Sequence, residues 1–131
     1  MFVATGLSPF SGQWIHFQTA GAAEGGDYAK RRYAFEARRH YEVMDTHLAD
    51  KTFFLGGDYS IVDMASWGWV ELHEGVLGAG GLDSYPNVRA WFERVNARPA
   101  AERARGLSTS QGGKPAFDEE SARALFPSNF N

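Results

Sequence analysis

The stretch from Phe53 to Glu74, FFLGGDYSIVDMASWGWVELHE, constrains the fold more than any other part of the chain. Ser60, followed three residues later by Asp63, reads as a helix N-cap with its reciprocal partner. The serine oxygen accepts an amide of the first turn, and the carboxylate reaches back to the Ser60 amide. The helix is expected over Ser60 to Leu72. Gly56-Gly57-Asp58 turns the chain sharply into it, and Tyr59 and Met64 are expected to close over the turn as a hydrophobic staple. Ile61, Val62, Met64, Ala65, Trp67, Trp69, Val70 and Leu72 spread around the helix instead of forming one stripe, the pattern of a helix buried on most sides. A chain built on such an element needs other helices to wrap it.

The flanking segments supply them. Met1 to Phe17 reads as helix broken around Gly6 and Pro9, since proline lacks a donor and clashes with the preceding turn. Phe10, Gln13, Trp14 and Phe17 then point together at helical spacing. Gly21 to Gly26 is a loop, and Asp27 is placed to cap the helix after it. From Tyr28 to Asp50, the residues Tyr33, Ala37, Tyr41, Met44 and Leu48 recur at helical steps, with Arg31, Arg38, Glu42 and Asp45 opposite; this is the longest helix. Gly75 to Gly81 is a glycine-rich link. Tyr85 to Ala97 follows as a helix with Pro86 in its first turn and Val88, Trp91, Phe92 and Val95 inward. A short helix after Pro99 is expected to end near Gly106. Leu107 to Lys114 is polar and flexible by composition, and Asp118 to Phe126 offers an amphipathic turn or two before Pro127. The fold class is therefore all-α: a bundle of about five helices over 1–106, and a flexible tail over 107–131 with a short helical turn.

Composition removes several function classes. At 131 residues, 44% of them hydrophobic, the chain is expected to form one domain with an ample core. No apolar run approaches the roughly 18 to 20 residues that span a membrane. A net charge of -3 argues against a general nucleic-acid or anionic-membrane surface. With no cysteine there is no disulfide, thiolate metal site or cysteine nucleophile. Met1-Phe2-Val3 has no basic residue before it, so a secretory signal is not expected and a cytoplasmic address is. His40 and His47 lie about 10.5 Å apart along a helix, too far to share one metal. His16 and His73 stand alone, so no metal site is expected. Gly78-Ala79-Gly80-Gly81 follows a helix and not a strand, which is the wrong context for a dinucleotide loop.

The glycine turn, the aromatic Tyr59 and the Ser60-x-x-Asp63 box at the head of a core helix resemble the C-terminal helical domain of glutathione transferases. Tyr85-Pro86-Asn87-Val88, Trp91-Phe92-Glu93-Arg94-Val95 and Ala97-Arg98-Pro99-Ala100 continue that resemblance downstream. Upstream, Gly6 to Gln13 and Tyr28 to Tyr33, with Glu36 and Arg39, are most similar to the bacterial Nu-class-like members that reduce disulfides with glutathione. The matches run from about Gly6 to Ala100 in the order and spacing of that family.

The resemblance implies a glutathione transferase C-terminal-like bundle with the thioredoxin-like domain absent from this chain. It implies that Arg32 contacts glutathione, whose carboxylates suit an arginine fork. From the residues alone, Arg31, Arg32, Arg38 and Arg39 equally form a solvated face paired through Glu36. Phe10, Gln13 and Trp14 are the candidates for the wall of a co-substrate cleft, with ordinary packing as the alternative. Ser60 and Asp63 are the structural cap. Glutathione is implied as substrate of the intact family, with no cofactor bound by this chain alone. The group that activates the thiol belongs to the thioredoxin-like half, so this chain by itself is expected to be inactive. The resemblance also implies a homodimer, and a thioredoxin-like domain in cis or in trans. Phe2, Leu7, Phe10 and Trp14, with part of the Tyr28 to Tyr41 face, are expected to be uncovered. The alternative function is a non-catalytic protein-interaction module of the same fold.

Overall fold

Helical periodicity places the core, and the longest helix carries most of it. The structure is a computed structural model describing residues 1–19, 21–22, 25–110 and 118–130, with the backbone alone at 108–110 and 129. Helix α2 (Gly26–Leu48) buries Ala37, Tyr41, Met44 and Leu48 along one line, at the expected helical steps. Helix α1 (Ser8–Gln18) packs along it, α3 (Ile61–Val70) crosses the first turns of the chain, and α5 (Pro86–Asn96) lies against both α2 and α3. Leu7, Val70, Val88, Trp91 and Val95 complete the interior. Three further helices, α4 (His73–Leu77), α6 (Pro99–Ser110) and α7 (Glu119–Leu125), make seven α-helices among the described residues, where about five are expected from the periodicity. The two beyond the expected five, α4 and α7, are five and seven residues long, and a helix as brief as α4 leaves no periodic signature. It occupies the first part of the expected glycine link. Helix α6 runs past Gly106 to Ser110.

The first segment is not broken. A π-helical stretch, Val3–Leu7, runs directly into α1, with Leu7 itself in helical geometry. Pro9 falls in the first turn of α1, where a missing donor is tolerated. Gly6 is the reason the backbone can come so close to α2: a β-carbon there would lie 2.3 Å from His40 Nε2. The His40 ring in turn sits 5.0 Å from the ring of Phe10 and 5.5 Å from that of Phe2. Asp27 does not cap α2, whose N-cap is Gly25; it lies one residue inside the first turn.

Helix α3 keeps its cap and loses its full burial. Asp63, Ser66 and Val70 are sealed inside. Ile61 is 78% exposed and Met64 53%, and Leu72 just beyond the helix end is also open. The apolar residues surround the helix as the sequence says, but this chain covers only one side of them. Met64 therefore makes no staple. The Tyr59 ring packs instead on Phe53 and beneath the Arg98 guanidinium, 3.7 Å above it.

Candidate functional site

Arginine spacing on α2 builds the first polar constellation. Arg32, Glu36 and Arg39 stand four and three residues apart, so all reach one patch of the helix surface. Glu36 is nearly buried and is gripped from both sides: Arg32 Nη1 lies 3.0 Å from Oε1, and Arg39 Nη2 lies 2.8 Å from Oε2. Arg39 Nε donates a further bond at 2.9 Å. That hydrogen bonding from Arg39 is the main influence holding the Glu36 carboxyl below its usual range, against the opposite pull of burial. The expected ion pairing through Glu36 is therefore present. It leaves Arg32 a side chain 51% exposed, with donors beyond the one given to Glu36.

The second set of candidates does not share one cavity. The Phe10 ring lies between His40 and Tyr33, the latter 6.3 Å away. Trp14 donates from Nε1 to the Val76 carbonyl at 2.8 Å, tying α1 to α4, and Gln13 is exposed. Leu7 is fully buried, so the uncovered patch expected at Phe2, Leu7, Phe10 and Trp14 is mostly filled by the chain's own α2 and α4. An open groove of 620 Å³ lies on another side of α1, lined by Ile15, Gln18 and Thr19 together with Glu71, Leu72 and Glu74. Gln18 Nε2 donates across it to the Gly75 carbonyl at 3.1 Å. The three- and four-residue steps from Ile15 to Gln18 and Thr19 were the available sequence signal for this wall.

The cap is built as expected and reaches further. Both halves of the box are formed, with Ser60 Oγ accepting from Val62 N at 3.3 Å and Ser60 N donating to Asp63 Oδ2 at 2.9 Å. Asp63 also accepts from Phe54 N at 3.0 Å, from Ser60 Oγ at 2.8 Å and from Trp91 Nε1 at 2.9 Å. Burial alone would raise its pKa, but the bonds from Phe54, Trp91 and Ser60 outweigh that and hold the carboxyl below its ordinary range. A second carboxylate works the same way at a distance. Asp45 Oδ1, on α2, accepts from Asn87 N at 2.8 Å and Val88 N at 3.0 Å, and so caps α5.

The chemistry of these groups is ion pairing and helix capping. The Tyr41 hydroxyl is buried without a hydrogen-bond partner, and burial, with Tyr85 beside it, pushes its pKa well up. Such a phenol stays protonated. Among the described residues no three of His, Cys, Asp and Glu gather in a way that could hold a metal, and no helix is long and apolar enough to cross a membrane.

Against known proteins, residues 15–99 match the family model described as glutathione S-transferase, C-terminal domain. The disulfide-bond oxidoreductase YfcG of Escherichia coli is 38% identical over 99 residues, covering 76% of this chain and 45% of that protein. The E. coli disulfide-bond oxidoreductase YghU is 36% identical over 120 residues, covering 86% and 41%. A solved glutathione transferase family member from Pseudomonas fluorescens, with two glutathione bound, superposes with a TM-score of 0.71 at 34% identity, over 79% of this chain and 47% of that one. The chain thus spans less than half the length of the relatives it matches.

Proposed function

The chain belongs to the glutathione S-transferase family, as its C-terminal domain, and on that premise we propose that it is the co-substrate half of a glutathione-dependent transferase or disulfide reductase, working as a homodimer with a thioredoxin-like half in cis or in trans. Arg32 carries this reading: a half-exposed guanidinium, held through Nη1 by the buried Glu36 carboxylate, keeps further donors for a glutathione carboxylate. The names of YfcG and YghU and the glutathione in the P. fluorescens protein support the same chemistry. In this reading the attacking sulfur is glutathione's own. Its thiolate attacks one sulfur of a disulfide and forms a mixed disulfide with it, while the other sulfur leaves as a thiolate and takes a proton from water. A thiol substrate suits a reducing, cytoplasmic setting. The co-substrate side is α1, with Phe10, Gln13 and Trp14 and the neighbouring Ile15 groove.

A second reading, an interaction module without catalysis, draws on the uncovered apolar side of α3. In the enzyme reading that side is covered by the thioredoxin-like half. Two assays test the proposal. The chain alone, given glutathione and bis(2-hydroxyethyl) disulfide, is expected to show only background turnover, and saturable turnover would place thiol activation within it. Joined in frame to a family thioredoxin-like half, it is expected to turn over, with Arg32→Ala raising KM for glutathione about tenfold. A folded joined protein that stays inactive favours the module, and an unchanged KM removes Arg32 from the site.

A further inference from the structure

The groove beside Ile15 offers a ligand apolar surface and hydrogen-bond acceptors. Its 620 Å³ opens between the end of α1 and the turn joining α3 to α4, and Ile15 and the half-exposed Leu72 supply the apolar part. The two neutral polar side chains spend donors on the backbone: Gln18 Nε2 on the Gly75 carbonyl at 3.1 Å, and Thr19 Oγ1 on the Ile15 carbonyl at 2.8 Å. Two carboxylates remain, Glu71 and Glu74, and among the described residues no Lys, Arg or His lines the groove. Neither carboxylate is fully answered within the chain. Glu74 is exposed and has no ion-pair partner among the described residues. Glu71 Oε2 is enclosed and makes no hydrogen bond among them; Arg105 Nη1 stays 3.7 Å away, beyond hydrogen-bond length. With Arg105 counted, the wall still carries net negative charge. An enclosed carboxylate oxygen without a donor costs stability, and a cation brought beside it offsets that cost.

We propose that this groove selects co-substrates that carry a positive charge, namely small disulfides with an arm ending in an ammonium group. The inference rests on the reading of α1 as the co-substrate side and names the substrate class. The carbons and sulfurs of such a molecule lie on Ile15 and Leu72. Its ammonium lies at Glu71 and Glu74, which stand three residues apart across the turn from α3 to α4. An ammonium brings only donors, which is what a wall of acceptors lacks. A neutral disulfide of the same length gains the apolar contact alone, and an anionic one meets two like charges. Glu71 and Glu74 are thus specificity-determining residues, acting on charge.

Nuclear magnetic resonance titration of the isotope-labelled chain at neutral pH and low salt tests this. Cystamine is the cationic disulfide, bis(2-hydroxyethyl) disulfide the neutral one and dithiodiglycolate the anionic one. Cystamine is expected to move the amide signals of Ile15, Thr19, Leu72 and Gly75 and to bind about fivefold more tightly than the neutral disulfide, with the anion weakest. Glu74→Gln is expected to remove much of that preference and Glu74→Lys to reverse it. Glu71→Gln is expected to act in the same direction; should it fail to fold for want of the Arg105 pair, the exposed Glu74 carries the test. Equal binding of the three disulfides, shifts confined to another surface, or a preference that survives Glu74→Lys overturns the inference. This titration needs no thioredoxin-like half, so its failure is distinct from failure of the enzyme reading. In the joined protein the ratio of kcat/KM for cystamine to that for the neutral disulfide is expected to fall about fivefold in Glu74→Gln. A joined protein that stays inactive counts against the enzyme reading alone, and an active one whose ratio ignores Glu74 overturns the inference.

Discussion

Helices α3 and α5 start with the same device, a carboxylate accepting amides at the helix head, but they obtain it differently. At α3 the carboxylate is the helix's own Asp63, three residues from the Ser60 it answers. At α5 the N-cap is Tyr85, whose side chain makes no cap bond, and Asp45 supplies the acceptor from α2, 42 residues before Asn87. The first cap is written into local sequence and forms wherever the turn forms. The second exists only once α2 and α5 have docked. Local capping fixes where a helix begins, whereas borrowed capping also fixes which neighbour it must lie against.

The contrast can be broken from either end. Asp63→Ala is expected to cost about 3 kcal/mol or more, because buried donors at Phe54 N and Trp91 Nε1 lose their acceptor together with Ser60 N. Urea midpoints at constant slope measure it, and a loss below about 1 kcal/mol would make this an ordinary surface cap. Asp45→Ala is expected to cost about 1 to 2 kcal/mol and to speed amide exchange at Asn87 and Val88 with no matching change at Val62 and Asp63. Equal acceleration at both helix heads would mean that the two caps are not independent. The smallest effect is titration, which adds a proton to Asp63 and removes no atoms. Its folded pKa lies below the ordinary carboxylate value of about 3.9, so its stabilisation is complete above that pH and fades as pH falls through the folded value. The advantage of the natural chain over Asp63→Asn should therefore be constant from pH 7 to pH 5 and shrink below pH 4. A gap that holds steady to pH 2 would contradict the depressed pKa.

Legibility follows the same division between local and borrowed contacts. The Ser60 and Asp63 box, the inward line from Ala37 to Leu48, and the pairing of Arg32 with Glu36 were readable because their members lie within a few turns of one helix. The Asp45 cap and the Trp91 bond to Asp63 were not, since nothing in a periodic pattern says which polar group a distant helix will present. The open side of α3 was misread for a related reason: apolar residues all round a helix state that it is to be covered, without stating by which chain. Trp14 was readable as an inward aromatic, but its bond to Val76 depends on α4, a helix too short to announce itself.

The contact between Gly6 and His40 has a consequence for how this sequence can vary. With 2.3 Å between a β-carbon at position 6 and the imidazole, alanine at 6 requires the ring to leave, and a ring that leaves uncovers Phe2 and Phe10. Positions 6 and 40 therefore behave as one site with a shared volume, although 33 residues separate them. In a library randomised at both, survivors are expected to divide into two populations, glycine with a ring and a larger residue with a small one. The path between those populations by single changes runs through a clash or a void.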